Sequence, residues 1–210
     1  MIKYFPVLLD LTQKKCLVIG GGEVAQRKVF SLLECDAEIV LISPTITEKL
    51  QYLVKNHKIS YIPREYNPKD LGLPFIVICA TGNTELNLAI AAECSKRNIL
   101  VNVVDSPDSG NFIVPAAIRR GDLCISISTG GHSPALSKKI RQQLESQFGE
   151  EYIKYLDLME EMRKTVIENI PEQKKRAEIF KKLVDSDILD LLKTGQDQLA
   201  KERAKQCISL

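Results

Sequence analysis

The first half of the chain alternates short, continuously apolar runs with amphipathic segments. The apolar runs are rich in β-branched residues and predict five strands, at residues 16–19, 38–42, 59–62, 75–79 and 99–104. The segments between them predict helices at residues 23–34, 47–55 and 84–97, the last with Leu86, Ala89, Ile90 and Cys94 facing a sheet. Continuously apolar strands are typical of a parallel sheet that is covered on both faces. The pattern therefore predicts an α/β fold built on a doubly wound parallel sheet.

The pattern changes after Asp105. Residues 107–111 have turn composition, residues 112–114 predict a short strand, and residues 123–128 alternate with period two like a half-exposed antiparallel strand. A glycine loop then opens a helix, with Ser133 as its N-cap. The chain is helical and charged from residue 150, and the polar tail after Gly195 is expected to fray. We predict an α/β domain over residues 1–113, a small α+β segment over 114–149 and an α-helical C-terminal domain over 150–210.

Composition narrows the classes of function. The chain has 210 residues, of which 44% are hydrophobic and 27% charged, so it is globular rather than disordered. No apolar run approaches the ~20 residues of a spanning helix, and the N-terminus lacks a signal-peptide pattern, which predicts a cytoplasmic protein without a membrane partner. A net charge of +2 is too weak a field to favour nucleic acid as the main partner. Any site for an anion must therefore be local.

The cysteines and histidines do not predict a metal site. The six cysteines are widely spread, without a Cys-x-x-Cys pair, and most lie in apolar runs where a reduced thiol behaves as a small hydrophobe. The chain has only two histidines, so a dedicated zinc site is not expected.

A glycine-rich turn joins the first predicted strand to the first helix. Residues 20–25 read Gly-Gly-Gly-Glu-Val-Ala, which fits the Gly-x-Gly-x-x-Ala pattern. In that pattern Gly20 permits the tight turn, Gly22 lets the backbone approach a pyrophosphate, and Ala25 lets the helix pack closely on the strand. The helix N-terminus then offers amide donors to the phosphates. The turn predicts a dinucleotide site in a Rossmann domain, with a purely structural turn as the alternative.

The second strand leaves the choice between NAD and NADP open. The acidic residue that usually binds the ribose 2′-hydroxyl is absent, since this strand ends in Ser43, Pro44 and Thr45. No Arg or Lys stands there to bind a 2′-phosphate either, which favours NAD. Because ligands cross the carboxyl ends of the strands, Thr81 and Asn83 after the fourth strand are expected near the cofactor. Gly21 completes the glycine turn of the predicted cofactor site.

Candidate chemistry follows the fifth strand. Asp105 could accept a proton as a hydride leaves the substrate, although a carboxylate there could equally cap a turn. The loop at residues 128–134 is a helix N-terminus with free hydroxyls, suited to an anion or simply a capped helix start. Nearby cations could bind a polycarboxylate or form a solvated face. The predicted substrate-binding residues are Asn111, Arg119, Arg120, Ser128, Thr129, Gly130, His132, Ser133 and Lys138.

Five segments together resemble one family. Residues 5–11, 16–28, 101–105, 112–116 and 128–136, in this order, are similar to precorrin-2 dehydrogenase, the dehydrogenase and ferrochelatase module of siroheme synthases. The resemblance runs from about residue 4 to 149. It is much more specific than the glycine turn alone, and beyond residue 150 it is limited to helical character.

The resemblance implies NAD-dependent oxidation of precorrin-2 to sirohydrochlorin, a step towards siroheme and in some organisms cobalamin. It also implies a homodimer, with an interface formed by the segment at 114–149, and a helical domain that closes over a tetrapyrrole cleft. By the same resemblance, Glu23 and Val24 lie at the phosphate turn, Pro44 and Thr45 on the adenosine side, and Asp105 is the general base. Thr129 stands where several relatives have serine, so a modification particular to serine is not carried over.

Two other functions remain open from the sequence. Some family members also insert iron, and this chain could be such a bifunctional ferrochelatase, with the metal delivered to the tetrapyrrole nitrogens under little protein ligation. A different class of protein is a regulatory module that senses the redox state of a dinucleotide without turnover. Its glycine turn would look the same, but it would need no site for a polycarboxylate.

Overall fold

The computed structural model describes residues 4–208, which form two compact units. The first unit ends at Val114 and the second begins at Pro115.

The first unit is built on five parallel strands in the order β3-β2-β1-β4-β5. The strands are β1 (Lys15–Ile19), β2 (Glu38–Ile42), β3 (Ser60–Ile62), β4 (Ile76–Cys79) and β5 (Leu100–Val103). The helices are α1 (Glu23–Leu33), α2 (Glu48–Lys55) and α3 (Thr84–Lys96), and short 3-10 turns lie at Pro68–Asp70 and Pro107–Ser109. The predicted doubly wound sheet is confirmed.

Helices cover both faces of the sheet, and successive side chains of a strand point to opposite faces. Neighbouring residues of a strand are therefore buried in two different clusters. In β1, Cys16 and Val18 pack into one apolar cluster with residues of α1 and α2. Leu17 and Ile19 pack into the other with residues of α3. This two-sided burial explains why the strands read as continuous apolar runs.

The buried face of α3 differs from the prediction, because it also includes Ala91 and the polar Asn87. Ile90 and Cys94 are buried as expected, but Ala89 is exposed and Asn87 is buried instead. An amide in this position needs hydrogen-bond partners, and Asn87 finds them in the loop that follows β4.

The strands of the first unit end together. The pairing aligns Ile62, Ile42, Ile19, Cys79 and Val103 in one row across the sheet. The loops that follow these residues therefore share one edge, the carboxyl edge, where doubly wound sheets bind their ligands.

The second unit begins with an antiparallel hairpin and continues in helices. The hairpin consists of β6 (Ala116–Arg120) and β7 (Leu123–Ile127), and the helices are α4 (Pro134–Glu145), α5 (Glu151–Asn169), α6 (Gln173–Val184), α7 (Ile188–Lys193) and α8 (Asp197–Ile208). The predicted strand at residues 112–114 is wrong, because β6 starts only at Ala116, two residues after the predicted strand ends. The Phe112 carbonyl instead accepts a hydrogen bond from the Asn102 side chain, 3.1 Å away.

The tail after Gly195 does not fray as predicted. It forms α8, in which Ala200 and Ala204 are fully buried. These small residues, one helical turn apart, pack with Leu158, Met162 and Val166 of α5 into the core of the second unit. Small side chains let helices pack closely, which a search for large apolar residues misses.

Within residues 4–208, no helix is long and apolar enough to cross a membrane.

Candidate functional site

Two glycines of the β1–α1 turn are required by the close approach of neighbouring loops. Gly20 has φ +115°, a conformation that favours glycine, and a Cβ there would lie 2.2 Å from the Ala80 carbonyl oxygen. A Cβ on Gly21 would lie 1.9 Å from the Thr45 carbonyl oxygen. These two positions therefore hold the loops after β1, β2 and β4 tightly together.

Gly22 differs, because it faces open space. It is the N-cap of α1 in ordinary extended conformation, and among the described residues no side chain caps this helix start and no atom lies within 4 Å of where a Cβ would be. Gln26 donates to the Gly22 carbonyl at 2.9 Å. In the part of the chain that the structure describes, the amide hydrogens of Glu23 and Val24 have no acceptor. An open backbone with unpaired donors at a helix N-terminus fits a pyrophosphate.

The loop after β2 is fixed to this turn. Thr47 donates its backbone N–H to the Gly21 carbonyl at 3.1 Å and its hydroxyl to Oε1 of Gln26 at 2.7 Å. The Ser43 hydroxyl donates to the Thr45 carbonyl at 2.7 Å. Ser43 is buried, whereas Pro44 and Thr45 are exposed at the edge. The roles of Gln26 and Thr47 were missed from sequence, although Thr47 has the hydroxyl of a typical N-cap.

The loop after β4 is held by the buried side chain of Asn87. Its Oδ1 accepts from the Thr81 hydroxyl at 2.6 Å, and its Nδ2 donates to the Thr81 carbonyl at 3.0 Å. Thr81 Oγ1 also accepts the N–H of Asn83 at 3.2 Å, and Asn83 caps α3 through Leu86. The predicted cofactor residues Thr81 and Asn83 thus belong to one hydrogen-bonded loop.

Asp105 follows β5 at the same edge. The preceding turn is anchored by Val104, whose N–H donates to the Cys79 carbonyl at 3.1 Å. Asp105 is exposed, and within the described residues its carboxylate has no hydrogen-bond partner. Since β5 lies two strands from β1, with about 4.8 Å between neighbouring strands, the two loops are roughly 10 Å apart. A carboxylate with free oxygens here can accept a proton.

Asn111 is fixed to the outer strand. Its Oδ1 accepts the N–H of Val101 and its Nδ2 donates to the Ile99 carbonyl, both at 2.8 Å. The side-chain amide therefore pairs with β5 as a neighbouring strand would. A contact between Asn111 and the substrate stays a prediction.

In the second unit, the loop between β7 and α4 is organised by its own hydroxyls. Thr129 Oγ1 accepts the N–H of Ser133 at 3.0 Å and lies 3.3 Å from the buried Ser137 hydroxyl. The Ser128 hydroxyl accepts the Gly130 N–H at 3.1 Å. Ser133 caps α4 by accepting the Leu136 N–H at 3.3 Å, as predicted. His132 is exposed.

The predicted cations of the second unit do not all lie at this loop. Arg119 pairs with Cys124, three residues before β7 ends, so along the hairpin it lies about 10 Å or more from the loop. Arg120 is directed to Glu150, with Nε 3.3 Å from the carboxylate. Lys138, in contrast, is exposed near the start of α4, directly after Ser137. The structure groups Lys138 with the loop and places the two arginines at the hairpin turn.

No metal centre accompanies these groups in the described ranges, since no cluster of three or more His, Cys, Asp or Glu side chains could hold an ion.

Three protein families match consecutive segments of the chain. A family described as putative NAD(P)-binding matches residues 7–116. The sirohaem biosynthesis protein central family matches residues 120–147, and the sirohaem synthase dimerisation region matches residues 154–208.

Similar proteins include siroheme synthases that are longer than this chain. The siroheme synthase of Thioalkalivibrio sulfidiphilus is 33% identical over 98% of the chain and 42% of the relative. The siroheme synthase of Vesicomyosocius okutanii is 34% identical over 95% of the chain and 43% of the relative. The chain thus spans about two fifths of the length of these curated relatives.

A solved structure matches from end to end. SirC, precorrin-2 dehydrogenase, is 26% identical, covers 98% of both chains and superposes with a TM-score of 0.79. Since the family described as putative NAD(P)-binding matches more than half of the chain, and the central and dimerisation families of sirohaem synthase follow it in order, the chain belongs to that NAD(P)-binding family in the arrangement found in siroheme synthases.

Proposed function

We propose that this chain oxidises precorrin-2 to sirohydrochlorin with NAD as the hydride acceptor, in the biosynthesis of siroheme and, in some organisms, cobalamin. The observation that carries the proposal is the shared carboxyl edge of the sheet. Its aligned strand ends bring the open glycine turn and the unpaired carboxylate of Asp105 to one side of the first unit. The end-to-end likeness to SirC, precorrin-2 dehydrogenase, supports the same reaction.

The geometry favours a dinucleotide bound along this edge. Gly22 and the free amide donors of Glu23 and Val24 would bind the pyrophosphate, and Gly20 and Gly21 keep the turn close to its neighbours. Ser43, Pro44 and Thr45 would line the adenosine ribose, and Thr81 and Asn83 the nicotinamide side. We assign NAD rather than NADP because the end of β2 offers no cation for a 2′-phosphate.

The reaction removes two hydrogens from the tetrapyrrole, one as a hydride and one as a proton. When bound, the nicotinamide ring supplies the hydride acceptor. We assign the proton to Asp105, whose carboxylate oxygens are exposed and unpaired within the described residues. A positioned general base typically contributes about 10²–10⁴-fold to the rate.

We assign the carboxylates of precorrin-2 to polar groups outside the cofactor turn. The loop of Ser128, Thr129, Gly130, His132 and Ser133 offers backbone and hydroxyl donors at a helix start, beside the cation Lys138. Arg119, Arg120 and Asn111 are the further predicted substrate-binding residues. Local donors suffice for an anionic substrate, so a net charge of +2 is compatible with binding it.

We further propose a homodimer, which the match of residues 154–208 to a dimerisation region supports. The segment at residues 114–149, which follows a cofactor domain ending at residue 113, would contribute to the dimer interface together with the helical domain from residue 150, which the dimerisation match covers. A cytoplasmic location is supported by Cys16, Cys79 and Cys94, whose reduced thiols are buried in the apolar clusters of the first unit.

The proposal is tested by adding precorrin-2 and NAD to the purified protein and following the tetrapyrrole spectrum. Appearance of sirohydrochlorin only when both protein and NAD are present is the expected result. Tight NAD binding without a spectral change would contradict it and favour a dinucleotide sensor. A further addition of Fe²⁺ or Co²⁺ after the oxidation tests chelatase activity, because metal insertion changes the spectrum again.

A further inference from the structure

An arginine, Arg64, lies close to the predicted adenosine end of the cofactor site, two residues after the end of the neighbouring strand β3. The Ile62 carbonyl at the end of β3 accepts two N–H groups, that of Ser43 at 3.3 Å and that of Arg64 at 2.9 Å. The hydroxyl of Tyr61 donates to the Ser43 carbonyl at 3.0 Å. The backbone of Arg64 therefore adjoins the loop of Ser43, Pro44 and Thr45. β2, which this loop follows, has no Arg or Lys at its end, whereas Arg64 lies just after the end of β3.

This guanidinium is already bound by a carboxylate. Arg64 donates to Asp70 through two parallel hydrogen bonds, of 2.7 Å to Oδ2 and 2.6 Å to Oδ1. Asp70, the last residue of the 3-10 turn Pro68–Asp70, also accepts the Asn67 N–H at 2.7 Å and so closes the capping box of that turn. The Asp70 side chain is 11% exposed, whereas that of Arg64 is 49% exposed. A fixed carboxylate thus holds a solvent-accessible guanidinium.

The carboxylate of Asp70 stays ionised at neutral pH. Its pKa is held below the usual range, mainly by the hydrogen bond from Arg64 and also by that from the Asn67 backbone. An anion that approached Arg64 would compete with a bidentate partner and would meet a second negative charge.

We propose that Asp70 determines the cofactor preference by withholding Arg64 from a 2′-phosphate. The inference rests on the proposed dinucleotide site and adds a specificity-determining pair to it. NAD, which carries a hydroxyl at this position, is insensitive to the pair. NADP needs a cation for its phosphate and finds the guanidinium occupied and a carboxylate beside it.

The test compares the binding of NAD and NADP by titration calorimetry, without substrate. Asp70→Asn removes the charge but keeps an oxygen that can accept the Asn67 N–H. We expect this variant to bind NADP about tenfold more tightly than the wild type, with NAD affinity changed by less than about twofold. An unchanged ratio of the two affinities, with normal NAD binding, would overturn the inference.

Two further variants attribute the effect to the pair. In Asp70→Asn combined with Arg64→Gln, the gain in NADP affinity should disappear, because the released cation is gone. Arg64→Gln alone leaves Asp70 uncompensated and should weaken NADP binding further while NAD binding is retained. This single variant also tests the pair if Asp70→Asn does not fold. If the wild type bound neither nucleotide, the proposed function itself would fail, and the inference with it.

Discussion

At the scale of single residues, two neighbouring glycines of the glycine turn have different roles: Gly21 is needed for packing, and Gly22 is assigned to cofactor binding. Gly21 is packed so closely against Thr45 that a methyl group does not fit, whereas Gly22 faces open space. A side chain at Gly22 would therefore be tolerated by the fold but would occupy the space that we assign to the pyrophosphate.

We predict that Gly22→Asp abolishes NAD binding and leaves the thermal midpoint unchanged or slightly raised. Aspartate is a good N-cap, worth a few tenths of a kcal/mol over glycine, but its charge and bulk oppose a phosphate. Titration with NAD and differential scanning calorimetry measure the two effects. Gly21→Ala is the control and should lower the thermal midpoint. Normal NAD titration of Gly22→Asp would remove the turn from the cofactor site.

Asp105 carries the predicted proton transfer. Asp105→Ala should lower kcat for precorrin-2 oxidation by about 10²-fold or more, while the Kd for NAD changes little. Asp108→Ala is the matched control, since Asp108 is also exposed and lies three residues away in the 3-10 turn after β5. Steady-state kinetics measure kcat, and NAD titration measures the Kd, for both variants. Equal rates for wild type and Asp105→Ala would show that the base is another group or water.

At the scale of elements, buried amides connect helices and strands to the site loops. Asn87 connects α3 to the loop after β4, and we predict that Asn87→Leu lowers the free energy of unfolding of the first unit by about 1–3 kcal/mol. The reason is that the Thr81 hydroxyl and carbonyl lose their partners. Urea unfolding measures the loss, and NAD affinity should fall with it. Leu88→Ala, on the exposed side of α3, is the control. An Asn87→Leu variant with the same free energy of unfolding as the wild type would contradict this role.

Hydrophobic periodicity was sufficient to predict the sheet and its helices, because each buries apolar residues at regular spacing, and the Gly-x-Gly-x-x-Ala motif was sufficient to predict the glycine turn. Periodicity could not predict the positions where polar side chains replace backbone pairing. Asn111 bonds to β5 as a strand would, and Asn87 is buried on a helix face. Nor could it find α8, whose buried residues are alanines, or the position of the Arg64–Asp70 pair beside the loop after β2, which depends on the adjacency of β2 and β3.

At the scale of the whole molecule, the thiols report on how the chain is packed. Burial raises the pKa of Cys79 to about 12 and those of Cys16 and Cys94 to about 11. Thiolates at these positions are therefore scarce at neutral pH, and the side chains are inaccessible.

We predict that a chromogenic thiol reagent modifies at most the other three cysteines of the native protein, Cys35, Cys124 and Cys207. All six should react in denaturant, which provides the control count. Rapid modification of more than three thiols in the native state would show that an apolar cluster of the first unit opens readily.

The proposed oxidation couples the formation of sirohydrochlorin to the reduction of NAD, so the most direct measurement follows both products in one reaction. Purified protein is mixed with precorrin-2 and excess NAD, and the amounts of NADH and sirohydrochlorin are determined from their absorbance as the reaction proceeds. We predict equal amounts of NADH and sirohydrochlorin at every time, with no NADH when precorrin-2 is omitted. Sirohydrochlorin without NADH, or bound NAD that is never reduced, would contradict it.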